Sequence, residues 1–450
     1  MSPSQAPSAP HPTSEFAALI GLDWADQKHC WKLLAAGSTE VESGVLLNTP
    51  EALQQWATGL YDRFAGRFVA IALEQSRGAV VFQLSKFPHV VVFPIHPTMA
   101  ARYRQAFFSS GTKNDPLDSA LLLELLVQHR DRLRRLTPDT PATRLLQLLV
   151  EHRRKLVDER TRQSNRLTAA LKTFYPQALQ WFDDIDSPLA CAFLLRWPTL
   201  EAAQHSHPGT LRRFFTQRNC RSAERIRQRI EGIHQATPAV TDAALREAGT
   251  LIVSGILRVI HALNEAIAAV NTRLQSAAAE HPQAGIFAAL PGAGEALLPR
   301  LIAAFGTQME RYASAAQLQC YSGIAPVRSQ TGNTEMVSMR RACPKFLRQT
   351  FVEFAMQSVC KSVWARAFLD HQLAQKKSFN VAVRALAFKW IRILHACWRT
   401  QTPYDEQRYL QSLQKRNSPL ARLLTASQPD PTGVEWNPVA GFQTLTLRKT

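Results

Sequence analysis

The chain has 450 residues, 46% of them hydrophobic and 20% charged, which is enough to bury the cores of about three domains. It contains no run of about 18 apolar residues, so we expect no membrane span. Its seven cysteines include no C-x-x-C motif, which argues against a disulfide framework and a zinc site and fits a reducing cytoplasm.

The net charge of +18 favours a polyanionic partner. The positive charge is clustered in three segments, near residues 211–230, 340–350 and 375–392, that together contain one acid, Glu224. Such runs predict nucleic-acid binding more readily than a merely solvated surface.

The first 14 residues are rich in Pro, Ser and Ala and resemble no signal peptide, so we expect a disordered lead. Residues 15–140 predict an α/β domain. Its strand-like segments are "FAALIGLDWAD", "HCWKLLAA", "VESGVLL", "RFVAIALEQ" and "HVVVFP". Its helical segments are "TPEALQQWATGLYDRF", with Thr49 as the N-cap before Pro50, "HPTMAARYRQAFF" and "DPLDSALLLELLVQHR".

Residues 141–280 predict long helices and no strand. One stretch repeats apolar residues at intervals of three and four, which is typical of a coiled coil or a long hairpin arm. The repeating residues are Leu145, Leu149, Leu156, Leu167 and Leu171. A second such stretch runs from about Thr241 to Ala279. The arginine-rich segment lies between them, and we expect its Arg212 and Arg213 to contact nucleic acid.

Residues 281–400 predict a further, mostly helical domain, and residues 401–450 a partly disordered tail. The domain begins with "HPQAGIFAALPGAGEALLPRLIAAFG", in which Pro291, Gly292 and Gly294 predict a tight turn of helix-hairpin-helix character before a helix near Glu295. The free N–H groups of that helix could bind a phosphate, although an ordinary turn between helices explains the pattern equally well.

Two further motifs follow in this domain. "YSGIAPVRSQTGNTEMV" predicts a polar loop rich in hydroxyl groups after a short apolar entry. "RRACPKFLRQTFVEF" then supplies positive charge suited to positioning a nucleic-acid backbone rather than reading bases. Its basic residues are Arg340, Arg341, Lys345 and Arg348.

Four acids in residues 15–140 suggest a metal site. Asp23 and Glu74 each end a predicted strand, and parallel neighbouring strands would bring these ends together. A helix beginning at Asp115 could add that residue and Asp118. Converging carboxylates repel one another unless a divalent cation neutralises them, and Mg²⁺ prefers such oxygen ligands. Taken singly, Asp115 is also a good N-cap and Asp118 suits a helix N-terminus.

This order of acids resembles the ribonuclease-H-like (RuvC-like) nuclease fold. The motifs "GLDWADQKH", "ALEQSRG" and "KNDPLDSALL", with the later motifs quoted above, resemble the DEDD-type insertion-sequence transposases, a family of bridge-RNA-guided recombinases. The resemblance covers roughly residues 16–175 and 281–400. It implies that Asp23, Glu74, Asp115 and Asp118 hold Mg²⁺, with Asp26 a less suitable alternative to Asp23.

The resemblance also implies a hydroxyl nucleophile in residues 281–400 that completes a composite site. The family carries a serine immediately before a glycine at the position where this chain has Thr331 and Gly332. Three interpretations remain: Thr331 attacks, nearby Ser329 attacks after a local shift, or this copy is weakened or inactive. A threonine is chemically capable, although its methyl group restricts the side chain.

The resulting hypothesis is an insertion-sequence transposase that cleaves and exchanges DNA strands through a covalent protein–DNA intermediate. The resemblance implies double-stranded DNA and a structured guide RNA as partners, and a homo-oligomer, a dimer or tetramer, formed by the long helices. One alternative is a RuvC-like junction-resolving nuclease that uses a metal-bound water. Another is a non-catalytic nucleic-acid-binding scaffold.

Overall fold

The computed structural model describes residues 15–75, 78–107 and 115–426, without the side chains of Asp115, Pro116, Thr425 and Ala426. The predicted disordered lead and residues 427–450 of the predicted tail lie outside the described residues. The chain divides into two compact units, Met1–Pro138 and Asp139–Thr450, called unit 1 and unit 2 below.

Unit 1 is an α/β unit built on one mixed sheet. Its strands are β1 (Ala18–Asp23), β2 (Lys28–Ala35), β3 (Val41–Leu47), β4 (Val69–Leu73) and β5 (Val90–Pro94). Its described α-helices are α1 (Pro50–Arg63), α2 (Ala79–Leu84), α3 (Pro97–Phe107) and α4 (Asp115–His129). The strand order is β3-β2-β1-β4-β5. β1, β4 and β5 run parallel, whereas β2 and β3 are antiparallel to their neighbours.

The central strands of unit 1 are buried on both faces, as parallel strands usually are. On one face Ile20, Leu22 and Ile71 join a core with residues of α1 and α2. On the other face Ala70 and Ala72 join a second core with leucines of α4. Side chains alternate along a strand, so Gly21 and Asp23 lie on the α4 face.

Most elements of unit 1 lie where the sequence predicts them. All five predicted strands are present, and Thr49 caps α1 by accepting a hydrogen bond from the amide of Ala52 at 3.2 Å. Helix α2 was not predicted. It has only six residues, which is too short for a helical period to appear in the sequence.

Unit 2 is helical apart from one hairpin in its described residues. Its first helices are α5 (Pro141–Phe174), α6 (Ala178–Trp181), α7 (Pro188–Arg196), α8 (Leu200–Gln204), α9 (Pro208–Gln217), α10 (Ala223–Gln235) and α11 (Ala243–Ala279). The next elements are α12 (Ala284–Ala288), α13 (Gly294–Phe305), α14 (Ala315–Tyr321), β6 (Val327–Thr331) and β7 (Thr334–Ser338). The last helices are α15 (Lys345–Ser358), α16 (Val363–Ala374), α17 (Phe379–Thr400), α18 (Glu406–Lys415) and α19 (Pro419–Ala426).

Helices α5 and α11 pack along each other as the arm that the sequence predicts. The buried seam of α5 differs from the prediction in its first half: Leu146 and Val150 are buried, whereas Leu145 and Leu149 are only partly buried. Helix α11 is long and apolar enough, by length and composition, to cross a membrane. Packing accounts for part of its apolar content, since residues such as Leu257 and Ile260 are buried in a core shared with α5, whereas Leu245, Leu251 and Ile252 are exposed.

The core of the C-terminal half of unit 2 contains three fully buried tryptophans, and each indole N–H has a partner. Trp364 donates to the Tyr404 hydroxyl, Trp390 to the Ser358 hydroxyl and Trp398 to the Gly306 carbonyl. The sequence predicts little regular structure after residue 400, yet α18 and α19 follow. They form because Leu420 and its neighbours pack against this core, a contact that sequence periodicity does not reveal.

Candidate active site

The carboxyl ends of β1 and β4 lie side by side. Gly21 of β1 is paired with Ala72 of β4 in parallel register, so the same register places Asp23 beside Glu74, which directly follows β4. Adjacent strands are about 4.8 Å apart, and paired residues of parallel strands point to the same face. Continued two residues past Gly21 and Ala72, this register aligns the backbone of Asp23 with that of Glu74 at the carboxyl ends of the two strands.

Helix α4 covers this face at very short range because β1 carries a glycine there. A Cβ on Gly21 would lie 2.1 Å from the carbonyl oxygen of Ser119 and 2.4 Å from the amide nitrogen of Leu123. Only a residue without a side chain permits this approach. The first turn of α4, which contains Asp118, is thereby held over the strand that ends at Asp23.

Asp118 is buried, with 5% of its surface exposed, and its carboxylate forms an ion pair with the guanidinium of Arg104 on α3. A second contact joins the same helices, because the Tyr103 hydroxyl donates to the Glu124 carboxylate at 3.0 Å. Sequence reasoning missed Arg104. One arginine on a predicted amphipathic helix carries no signal that it will meet a buried acid.

The convergence of the four predicted acids is partial. Within residues 15–75, 78–107 and 115–426, no three His, Cys, Asp or Glu side chains lie close enough together to hold a metal ion. Asp115 is the first described residue of α4, and its side chain lies outside the described residues. Asp26 is exposed in the loop after β1, where its backbone carbonyl accepts a hydrogen bond from the Asn48 amide at 3.0 Å.

His29 shapes the turn that follows Asp23, a role that sequence reasoning also missed. It is fully buried at the start of β2, and its Nδ1 accepts a hydrogen bond from the amide of Ala25 at 3.2 Å. Burial lowers the pKa of His29, which favours the neutral ring that this hydrogen bond requires.

The predicted polar loop of unit 2 is a two-stranded hairpin, which corrects the sequence interpretation. β6 pairs with β7 in antiparallel register, and Thr331 is opposite Thr334. The two-residue turn begins at Gly332 with φ +58°, the left-handed conformation that glycine adopts freely at the first central position of a tight turn. Polar strands joined by two residues were hard to recognise because they lack apolar alternation.

One face of the hairpin carries a row of hydroxyl groups. Ser329 and Thr331 are two residues apart on β6, so their side chains share a face with those of their partners on β7, Met336 and Thr334. All residues from 328 to 339 are exposed. Both candidate nucleophiles are therefore accessible on the same face, and Thr331 is the one next to the turn.

The four basic residues that follow the hairpin differ in their contacts. The Arg348 guanidinium donates to the carbonyls of Arg340 and Arg341 and to the Cys343 sulfur, so it braces the segment leading out of β7. Arg341 and Lys345 are exposed.

All seven cysteines of the chain lie in described residues and are free thiols.

The glycine turn before α13 is explained in large part by packing. Gly292 has φ +82°, and a Cβ there would lie 2.7 Å from the backbone of Gln357 on α15. Helix α13 begins at Gly294 with no side-chain cap, and its first turn borders a cleft of about 640 Å³. Basic and acidic side chains both line the cleft, among them Arg154 and Glu353, which form an ion pair at 3.6 Å.

Comparison with known proteins identifies the family. The IS110 DEDD transposase family matches residues 20–176, and the family described as "Transposase IS116/IS110/IS902 family" matches residues 284–370. The two matches together cover more than half of the chain. The first contains β1, β4 and α4, and the second contains the hairpin.

Three curated proteins illustrate the relationship. The "Mini-circle putative transposase for IS117" of Streptomyces coelicolor is 25% identical over 87% of this chain and 96% of its own length. The "Insertion element IS900 uncharacterized 42 kDa protein" of Mycobacterium paratuberculosis is 25% identical over 68% of this chain and 77% of its own. The "Putative transposase y4uE" of Sinorhizobium fredii is 23% identical over 46% and 59%.

The matched regions contain the carboxyl ends of β1 and β4, with Asp23 and Glu74, and the hairpin that bears the hydroxyl groups. The chain accordingly belongs to the IS110 family of insertion-sequence transposases, and it is a DNA transposase, an enzyme that cleaves and rejoins DNA strands.

Proposed function

We propose that this transposase moves its own insertion sequence through a covalent protein–DNA intermediate, with the acids of unit 1 and a hairpin hydroxyl of unit 2 as the reactive groups. The observation that supports the proposal is the parallel pairing of β1 with β4: its register, continued past Gly21 and Ala72, aligns the backbone of Asp23 with that of Glu74 on the face that α4 covers. Unit 1 is then a ribonuclease-H-like domain, in agreement with its mixed sheet and covering helices.

In this proposal Asp23, Glu74, Asp115 and Asp118 hold a divalent cation, Mg²⁺ in the first instance. Domains of the DEDD type generally use a divalent metal ion. The carboxylate oxygens are ligands of the kind that Mg²⁺ prefers, and the cation would neutralise charge on the scissile phosphate. Arg104 neutralises Asp118 in the structure, so Asp118 becomes a ligand when it releases this guanidinium.

The nucleophile in this proposal is the hydroxyl of Thr331, with Ser329 as the alternative. The hydroxyl oxygen attacks the scissile phosphorus and its proton passes to water. The bond from phosphorus to the leaving deoxyribose oxygen breaks, and that oxygen takes up a proton. One phosphate ester replaces another, so the bond energy is retained for rejoining to a new strand.

Two partners in the proposal rest on different support. A homo-oligomer is supported by α11, where Leu245, Ile252 and Val259 recur at heptad spacing and are exposed. A structured guide RNA is proposed from the resemblance to bridge-RNA-guided recombinases, and the charge of +18 would suit such a polyanion. Arg340, Arg341 and Lys345 would position the nucleic-acid backbone, with Arg348 holding their segment.

The test is to trap the covalent adduct. Purified protein is incubated with labelled element-end DNA, the element's transcript and Mg²⁺, then denatured and resolved by size. The expected result is a labelled protein band that disappears in Thr331→Ala and persists in Thr331→Ser. If the adduct survives Thr331→Ala and disappears in Ser329→Ala, Ser329 is the nucleophile.

A junction-resolving nuclease is the second candidate, since acids next to the ends of parallel strands are also suited to activating water. It predicts free DNA ends, no adduct and full activity in both hydroxyl variants. Finding that result, with activity still abolished by Asp23→Asn, would replace the covalent mechanism by the hydrolytic one. A non-catalytic scaffold would show no cleavage under any of these conditions.

A further inference from the structure

The arginine-rich segment belongs to a compact set of short helices that we call the arm module, residues 178–235 with helices α6 to α10. It lies outside both family matches, which end at residue 176 and resume at residue 284. Its core is aromatic and well buried. The core aromatics are Trp181, Phe182, Phe193, Trp197, Phe214 and Phe215.

Some arginines of the module are committed to its own structure. Arg229 donates to the Trp181 carbonyl at 2.7 Å and lies over the ring of Phe182 at 5.3 Å. Arg227 forms ion pairs within α10, at 2.7 Å to Glu224 and 3.0 Å to Glu231. These guanidiniums already have partners within the module, so they contribute little to a cationic surface that could bind another molecule.

Four other arginines are exposed, and none of them forms an ion pair within the described part of the chain. They occupy α9 and the turn that follows it: Arg212, Arg213, Arg218 and Arg221. The Arg218 guanidinium lies over the Phe214 ring at 4.2 Å, and Arg196 of α7 lies over the same ring at 5.8 Å. The module therefore presents an uncompensated cationic surface.

The backbone that presents these arginines is well defined. Asn219 adopts the left-handed conformation, with φ 60°, and ends α9. Ser222 then caps α10 by accepting a hydrogen bond from the amide of Arg225 at 3.2 Å. The turn between α9 and α10 thus has a defined backbone conformation on both sides. The four arginines lie within ten consecutive residues of this segment.

The chemical groups exposed on this surface indicate which kind of partner it binds. Exposed guanidiniums bind phosphates through paired hydrogen bonds. Single strands are usually bound through exposed aromatic rings on which bases stack, and all six aromatics of the module are buried. We propose that the arm module binds the sugar–phosphate backbone of a nucleic-acid duplex, without reading its bases, through Arg212, Arg213, Arg218 and Arg221.

The test compares two triple variants of the full-length protein. The first replaces Arg212, Arg213 and Arg221 by Gln and keeps Arg218, which lies over the Phe214 ring. The control replaces Lys172, Arg258 and Arg273, exposed cations of the arm helices, by Gln. The dissociation constant for a duplex of random sequence is measured over a range of salt concentrations.

Each phosphate contact contributes about 0.9 to the slope of log affinity against log salt. We expect the first variant to lower the magnitude of that slope by about 2 to 3. The control should leave the slope unchanged, and both variants should melt at the wild-type temperature. A loss confined to DNA duplexes identifies DNA as the partner, and an equal loss with RNA duplexes extends the partner to either nucleic acid.

Three results would overturn the proposal: an unchanged slope in the first variant, an equal change in the control, or a larger loss with single strands than with duplexes. The catalytic proposal is tested separately. Asp23→Asn should lower the rate of cleavage and leave the salt slope intact, so a failure of the catalytic proposal is distinguishable from a failure of this one.

Discussion

The candidate acids of unit 1 and the candidate nucleophiles of unit 2 stand on opposite kinds of scaffold. Asp23 and Glu74 end buried parallel strands, and α4 is packed directly against the neighbouring Gly21. Ser329 and Thr331 lie on a two-stranded hairpin whose residues 328–339 are all exposed. One group of residues is fixed by a core, and the other by a turn and its ladder of hydrogen bonds.

This difference fits the two tasks in the proposed function. Carboxylates that stabilise charge must already be in place when the reaction occurs, since moving them would cost energy at that moment. A nucleophile must instead reach a phosphate on a large, bound DNA, and accessibility matters more than burial. Because an isolated two-stranded hairpin is marginally stable, we expect DNA contacts to complete its order.

The largest expected effect is on chemistry at the strand ends. Asp23→Asn and Glu74→Gln should each lower the rate of strand cleavage by roughly 10²- to 10³-fold, because removing one group that stabilises transition-state charge costs about that much. Single-turnover cleavage measures it. Asp26→Asn is the control, since this exposed loop residue should leave the rate within a few-fold of wild type. Equal losses in all three variants would contradict the assignment.

The next effect concerns the buried ion pair. Arg104→Gln leaves Asp118 buried without its partner and should destabilise unit 1 by about 3–5 kcal/mol. The free energy of unfolding of unit 1 is measured by denaturant titration, with hydrogen exchange of the unit 1 amides as the readout. Millimolar Mg²⁺ should restore part of the stability if Asp118 is a metal ligand, because a cation that binds only the folded state stabilises it.

The matched control for Arg104 is Arg63, which pairs with Glu42 on the surface of the same unit. Arg63→Gln should cost no more than about 1 kcal/mol, as for other exposed ion pairs. No response to Mg²⁺ is expected from this variant. A similar Mg²⁺ response in both variants would show that the ion acts elsewhere than on Asp118.

A smaller effect tests the contact that brings α4 over β1. Gly21→Ala introduces a Cβ into the backbone of α4 and should destabilise unit 1 by about 1–3 kcal/mol, the usual cost of overpacking. Gly59 lies on α1 with open space around it, so Gly59→Ala should stabilise by about 0.5–1 kcal/mol. Thermal unfolding separates the two. Loss of cleavage in a still-folded Gly21→Ala would tie activity to the position of α4.

The smallest effect is expected at the hairpin turn. Gly332→Ala places a side chain at φ +58° and should cost about 1–2 kcal/mol of local hairpin stability. The yield of covalent adduct should fall several-fold, while the melting of unit 2 is unchanged because the hairpin is exposed. Gly285→Ala, at an open position of α12, is the control and should leave the yield of covalent adduct unchanged. A fall in the melting temperature of unit 2 would show that the hairpin supports its core.

The predictions from sequence succeeded where local patterns carry the information. Short apolar and β-branched runs located all five strands of unit 1, and Thr49 before Pro50 located the start of α1. The predictions were wrong where the local sequence fits more than one structure. The polar residues of β6 and β7 were interpreted as a loop, and the seam of α5 runs through Leu146 and Val150, one residue from the predicted leucines.

The candidate site shows the same division. The sequence supplied Asp23 and Glu74 as strand-end acids and Thr331 as the residue before the glycine. It supplied no sign that Arg104 would neutralise Asp118, or that Arg229 would be occupied in folding whereas Arg212 is exposed. These distinctions depend on partners far away in the chain.

By itself the sequence determined most helical and strand segments, the excess of positive charge and the family to which the chain belongs, because periodicity, composition and short motifs are properties of neighbouring residues. The tertiary structure decided that β1 runs parallel to β4, that Gly21 admits α4 and that four exposed arginines of the arm module form no ion pair within the described residues. Register, burial and charge pairing are set by which distant segments pack together, and only the folded chain contains that information.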